Sequence, residues 1–203
     1  MGSLTSTQHA ILVGSLLGDG TLRRQGNRPN ALFEANHAYK HRAYVDWKWQ
    51  HFRQHTLIAP KARLGRGSRI AYRFTTRSLP LFTTYYEWFY TDGKKQIPLD
   101  LKLNPLSLAV WFMDDGTRIR SAYYLNTQQF MVAEQMFLQK LLSETFGLKS
   151  ALNRDKQYFR IRFTTESSKS LHKLIEPHVV ECMRYKLAND PVTTESKDKI
   201  LVV

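Results

Sequence analysis

Two ten-residue segments, LVGSLLGDGT at Leu12–Thr21 and LAVWFMDDGT at Leu108–Thr117, share one design: an apolar run closing on an acid, a glycine and a threonine. The tetrapeptide RFTT follows each of them, at Arg73–Thr76 and at Arg162–Thr165. These paired signals lie 96 and 89 positions apart, the mark of a unit of roughly a hundred residues written twice. A chain built this way has a pseudo-twofold axis. An acid that each half brings to the axis meets its twin there, and here the acids are Asp19 and Asp115.

The rest of the chain narrows the classes. Of 203 residues, 42% are hydrophobic and 12% aromatic, enough to bury a core as one domain or as two small ones. No window has the apolar length a bilayer needs, and the stretch MGSLTSTQHA lacks the basic start and apolar centre of a signal segment. One cysteine, Cys182, excludes an internal disulfide and a cysteine-rich zinc site. It is expected as a small buried hydrophobe. The net charge of +13 points to a polyanion, nucleic acid above all. An acidic membrane surface or plain solubility are the blander readings of the same charge.

Thr5, Ser6 and Thr7 offer caps for a helix through Gly18, and Asn104 followed by Pro105 opens the matching helix in the second half. Both are apolar nearly all round, so both are expected to be buried on several sides. Gly14, Ser15 and Gly18, set against Ala109 and Gly116, would let the two backbones come close. Strands are predicted at 31–36 and 123–128, the second preceded by a polar turn at 118–121. A longer helix follows in each half, its inner side marked by Val45, Trp49 and Phe52, then by Phe137, Leu141 and Leu148, with Gly147 as a stop. Two further strands split at 65–68 and 153–156, and closing helices at 79–90 and 168–179, complete the pattern. The predicted fold class is α+β: two αββαββα halves, residues 1–91 and 105–203, joined by a linker at 92–104.

The later strands alternate cleanly. Arg69, Ala71, Arg73, Thr75 and Arg77 share one face, and Arg160, Arg162 and Thr164 share another, each opposite an apolar face. Lys61 to Arg77 holds six cations and no acid. Arginine grips phosphates and reads guanine edges, and a two-stranded ribbon fits the major groove. Asn126, Thr127 and Gln128 suit base-edge contacts or, equally, a structural turn.

Asp19 and Asp115 stand at the C-terminal ends of buried helices, where the macrodipole disfavours negative charge. Two carboxylates together there repel and raise each other's pKa, a cost that a hard divalent cation removes. On a surface that binds a phosphodiester, such an ion can polarise a phosphoryl oxygen and stabilise the leaving oxyanion. Lys95 in KKQIP and Lys186 in MRYKL, each some twenty residues beyond RFTT, are matched candidates for holding water or balancing phosphate charge.

These residues resemble the LAGLIDADG homing endonucleases, in their monomeric, two-motif form. LVGSLLGDG and LAVWFMDDG are similar to the two copies of the naming motif, and YYLNTQQF, KKQIP and MRYKL extend the likeness over nearly the whole chain. The resemblance implies that the motif helices form the interface between the halves, with saddle-shaped antiparallel sheets over the DNA. It implies that Asp19 and Asp115 ligate divalent metal, helped by the carbonyls of Gly18 and Asp114, and that Lys95 and Lys186 are active-site lysines. Mg²⁺ is the expected cofactor, with Mn²⁺ able to substitute and Ca²⁺ binding without efficient cleavage. Such enzymes cut both strands of a long double-stranded DNA site and leave short 3′ overhangs. Arg69, Arg73, Arg77, Arg160, Arg162, Arg23, Arg118, Arg120, Asn126 and Gln128 are the expected DNA contacts. Leu17 and Met113, at the sixth motif position, depart from the family ideal. The rivals are an intron RNA maturase or a DNA-binding regulator on the same fold, and a basic RNA-associated structural protein with no site. Organelle encoding or a bacterial cytoplasm would each fit a chain without a targeting segment.

Overall fold

The structure, a computed structural model, describes residues 3–65 and 70–187. It is an α+β protein whose first run is α1 (Ser6–Leu17), β1 (Thr21–Arg24), β2 (Ala31–Ala38), α2 (Arg42–Phe52), β3 (Lys61–Leu64), β4 (Ile70–Thr75) and α3 (Pro80–Phe89). A short hairpin, β5 (Tyr90–Thr91) and β6 (Lys94–Lys95), carries the chain into the stretch predicted as linker. The second run is α4 (Pro105–Asp115), β7 (Gly116–Ile119), β8 (Ala122–Leu125), α5 (Val132–Phe146), β9 (Ser150–Asp155), β10 (Tyr158–Phe163) and α6 (Thr165–Ile175). The two four-stranded sheets are antiparallel with the same order, β1-β2-β4-β3 and β7-β8-β10-β9.

The motif helices start with the same device. In α1 the Thr5 hydroxyl accepts from Gln8 N–H at 3.2 Å while Gln8 Oε1 accepts from Thr5 N–H at 2.9 Å. In α4, Asn104 Oδ1 accepts from Ser107 N–H at 2.8 Å and Ser107 Oγ accepts from Asn104 N–H at 2.9 Å. Such reciprocal caps stabilise a helix by about 1 kcal/mol each. Burial contributes more: Ile11, Leu12, Leu16 and Leu17 in α1, and Leu108, Val110, Phe112 and Met113 in α4, are fully buried, at about 1.5–3 kcal/mol per side chain. That outweighs the roughly 1 kcal/mol that Gly14 costs inside α1. The glycine is there for contact. A Cβ on Gly14 would lie 2.4 Å from the Ser107 carbonyl and 2.7 Å from Val110 Cβ.

The predicted partners of this seam need correcting. Gly14 faces Ser107 and Val110, Gly18 faces Asp114, and the close neighbour of Gly116 is Phe112 of its own helix. Helices α2 and α3 cover one side of the first sheet, and α5 and α6 one side of the second. One apolar core runs through both halves.

Several element edges also moved. The inner line of α5 is Gln135, Leu138 and Leu142, with Phe137 and Leu141 only half-buried. Gln135 is satisfied there, accepting from Thr127 Oγ1 at 2.9 Å and donating to the Phe130 carbonyl at 3.0 Å. A polar residue on the inner face displaced the apparent period by one position. Trp49 is half-buried beside Val45 and Phe52, which are fully buried. Strand β8 stops at Leu125, so residues 126–128 lie beyond it, and Arg118 and Ile119 belong to β7 rather than to a turn. Helix α6 begins at Thr165 because Thr164 caps it through Ser167 N–H at 3.2 Å. In the first copy the matching Thr75 ends β4, and helix α3 begins later, at Pro80 after Leu79. Cys182 is exposed, against expectation. The turn that carries it seats Met183 and Leu187 inward and leaves the thiol outside.

Candidate nuclease centre between the motif helices

Helices α1 and α4 end side by side, and their ends build one cleft of about 350 Å³ lined by Gly18, Asp19, Thr21, Lys95, Asp115, Asn126, Gln128 and Gln129. Asp19 follows the last turn of α1 and is half-exposed, whereas Asp115 is the last residue of α4 and is more covered. Burial, followed by the charges of Asp19 and Asp114, pushes the Asp115 carboxyl up to about 7. Asp19 is raised as well, first by burial and then by Asp114. Each lysine closes on the turn beside its aspartate. Lys95 Nζ donates to the carbonyls of Gly18 at 3.2 Å and Gly20 at 2.8 Å, and Lys186 Nζ donates to the Asp114 carbonyl at 2.8 Å. Burial lowers Lys95 to about 8 and lowers Lys186 as well.

Behind the cleft lies a charged cluster that motif reading missed. Asp114 and Lys48 are both fully buried, with Lys48 Nζ 2.8 Å and 2.9 Å from the two carboxylate oxygens. Tyr44 O–H donates to the same carboxylate at 2.8 Å. Lys48 and Tyr44 come from α2 of the first half, so this pair ties the halves together. Gly18 has no side chain because Asp114 occupies the space: a Cβ there would lie 2.4 Å from Asp114 Cβ. His37, at the end of β2, bridges forward, with Nδ1 3.4 Å from Asp19 and Nε2 3.6 Å from Asp114. Burial, and then Lys48, lowers its pKa to about 4, so the imidazole is neutral at pH 7. The sequence did carry a signal for Lys48. It falls in the buried line Tyr44, Val45, Lys48, Phe52 of α2, and a lysine on an apolar face requires a buried acid.

The predicted DNA contacts divide into groups. Arg23, Arg73, Arg160 and Arg162 stand on the open sheet faces, away from the covering helices. Arg77, just past β4, is exposed and reaches the Gln54 carbonyl at 3.4 Å. Arg160 lies over the Tyr124 ring at 4.5 Å and reaches Asn126 Oδ1 at 3.5 Å. Arg120 is exposed in the β7–β8 turn at φ 54°. Asn126 and Gln128 line the cleft, and Gln128 Nε2 donates to Asp155 at 2.8 Å. Arg118 is a correction: it lies over the Tyr123 ring and donates to the Leu187 carbonyl, which turns it toward the covered side. Arg69 lies outside the described residues.

Can this site hold a divalent cation? Two ionisable carboxylates with raised pKa values, beside two backbone carbonyls that accept from Lys95 and Lys186, form a hard oxygen donor set in which burial outweighs the nearby lysine charges. No group of three or more His, Cys, Asp or Glu side chains suited to a metal exists among the described residues. An ion here would therefore be completed by substrate oxygens or water. The donors fit.

The family model described as "LAGLIDADG DNA endonuclease family" matches residues 9–171. The cytochrome b mRNA maturase bI2 of Saccharomyces cerevisiae is 30% identical across 93% of this chain, which spans only 49% of that protein's length. The DNA endonuclease I-ChuI of Chlamydomonas applanata is 26% identical across 92% of this chain and 97% of its own. Among solved structures, the homing endonuclease I-WcaI bound to its DNA recognition sequence superposes with TM-score 0.86 at 24% identity, covering 94% of this chain and 90% of the other.

Proposed function

The chain belongs to the LAGLIDADG DNA endonuclease family, and on that premise we propose that it is a monomeric, divalent-metal-dependent enzyme that cuts both strands of a long DNA site. The observation that carries this reading is Asp19 and Asp115, one from each half, lining a single cleft with Lys95 beside two arginine-bearing sheet faces. Both aspartates hold the metal, Mg²⁺ with Mn²⁺ as substitute, and the Gly18 and Asp114 carbonyls stand next to them. When bound, the ion neutralises charge developing at the scissile phosphate. Lys95, with a pKa of about 8, can hold or release a proton at Nζ near neutral pH, and Lys186 offers its ammonium to the other half of the cleft. Neutral His37 packs behind Asp19 without adding positive charge. The arginines of the open faces supply affinity and register along the duplex.

The test is cleavage selection from a randomised DNA library in Mg²⁺, repeated with Asp19→Asn and Asp115→Asn. Each variant should still bind duplex while losing cleavage of at least one strand. Undiminished cutting by both would refute the assignment. Binding should fall steeply with salt, since each phosphate contact releases counterions, and a flat response would contradict the polyanion reading. The name of the Saccharomyces cerevisiae relative favours a second reading, an intron RNA maturase. It expects RNA binding untouched by the aspartate variants and no discrete DNA cut.

A further inference from the structure

Glu34 is the one acid on the open face of the first sheet among the described residues. On β1 and β4 its direct cross-strand partners are Thr21 and Thr75, while Arg23 and Arg73 sit one pair along on the same face. From there both arginines reach back to it. Glu34 Oε2 accepts from Arg23 Nη2 at 3.1 Å and Oε1 accepts from Arg73 Nη1 at 3.2 Å. The carboxylate side chain is 14% exposed, against 42% for Arg23 and 29% for Arg73. Each guanidinium therefore commits one nitrogen to Glu34 and keeps a free edge of further donors.

A carboxylate on a phosphate-binding face lowers affinity for every duplex alike, so its benefit must lie elsewhere. Free arginine has among the largest rotamer entropies of any side chain. Tying two of them to one largely covered acid removes that freedom before DNA arrives, which is preorganisation. Lys61 and Arg63 on β3 and Arg162 on β10 are exposed and make no ion pair among the described residues. A mobile cation suits a phosphate, which accepts from many directions. A fixed fork suits a base edge, which accepts from one.

We infer that Glu34 is a positioning residue that holds Arg23 and Arg73 as the base readers of the first half. The base class is guanine, whose O6 and N7 offer two adjacent acceptors to one guanidinium edge. Lys61, Arg63 and Arg162 then track the backbone. The inference rests on the DNA-binding reading above but not on cleavage.

The experiment uses the full chain and a randomised duplex library. Sites are selected once by binding in Ca²⁺ and once by cutting in Mg²⁺, with the parent protein, Glu34→Gln, Arg73→Ala and Lys61→Ala. The parent should enrich guanine in the arm beneath the first sheet. Glu34→Gln and Arg73→Ala should each reduce discrimination there by about tenfold and leave the other arm unchanged. Glu34→Gln should also bind unrelated duplex about twofold to threefold more tightly, because one repulsive charge is gone. Lys61→Ala should weaken binding to all sequences equally and reduce the salt slope by about one. Unchanged base preference in Glu34→Gln, or preference lost evenly over both arms, would overturn the clamp. Sites enriched by binding but cut by no variant would sink the nuclease reading, and the binding arm would still decide the clamp. A parent protein that enriches no duplex overturns both.

Discussion

The ends of α1 and α4 are the same motif in two different states. At the first, Gly18 leaves a gap and Asp19 is half-exposed. At the second, Asp114 fills the gap and is sealed against Lys48 and Tyr44 of the opposite half. One position of asymmetry, glycine against aspartate, converts a symmetric contact into an interlock. Both motif acids line the one cleft, while the residues before them serve packing at one end and a buried charge at the other. A duplicated site can thus keep its chemistry paired and still make its halves non-interchangeable.

The interlock is best broken at Lys48. Lys48→Met strands the Asp114 carboxylate in the core, which should cost about 3–5 kcal/mol, read by denaturant unfolding. Lys48→Met with Asp114→Leu should recover most of that loss. A single variant costing under about 1 kcal/mol would mean the pair is not sealed from water. A smaller effect is expected from the gap side. Gly18→Ala drives a methyl into Asp114 Cβ and should cost about 1–3 kcal/mol, a cost that should shrink in a Lys48→Met, Asp114→Gly background, which lacks both that Cβ and the buried charge pair. Failure of that relief would remove Asp114 as the reason for glycine.

The two cleft acids differ most subtly, through pH. Asp115 titrates near 7 in the fold and near 4 when unfolded, so the folded state holds the extra proton between those values. Stability of the protein in chelator should therefore fall as pH rises from about 4 to 7. Asp115→Asn should flatten this decline more than Asp19→Asn does. Smallest of all is the thermal shift on adding Mg²⁺, which should be larger at pH 8 than at pH 5 because protons and metal compete for the same carboxylates. Equal shifts at both pH values would detach the metal from these residues.

Much of this was legible in the chain. The αββαββα order, both helix caps and the pairing of Asp19 with Asp115 follow from repeated motifs and short-range rules, because caps and strand alternation are set by near neighbours. Inner faces were harder to read. Gln135 hid the α5 period by being buried and polar, and Cys182 was misread because a turn can face either way. The cluster of His37, Tyr44, Lys48 and Asp114 was missed altogether. Its members lie on three elements from both halves, and no local pattern joins them.

The sequence alone established a duplicated unit, a basic surface and two acids placed to meet, since each of these is written in residue type and spacing. Only the tertiary structure decided which cations are bound internally and which remain free. It turned Arg118 inward, clamped Arg23 and Arg73 on Glu34, and spent Lys48 on Asp114. The physical reason is that a charge's role depends on what lies within about 4 Å of it, and those neighbours are distant in sequence.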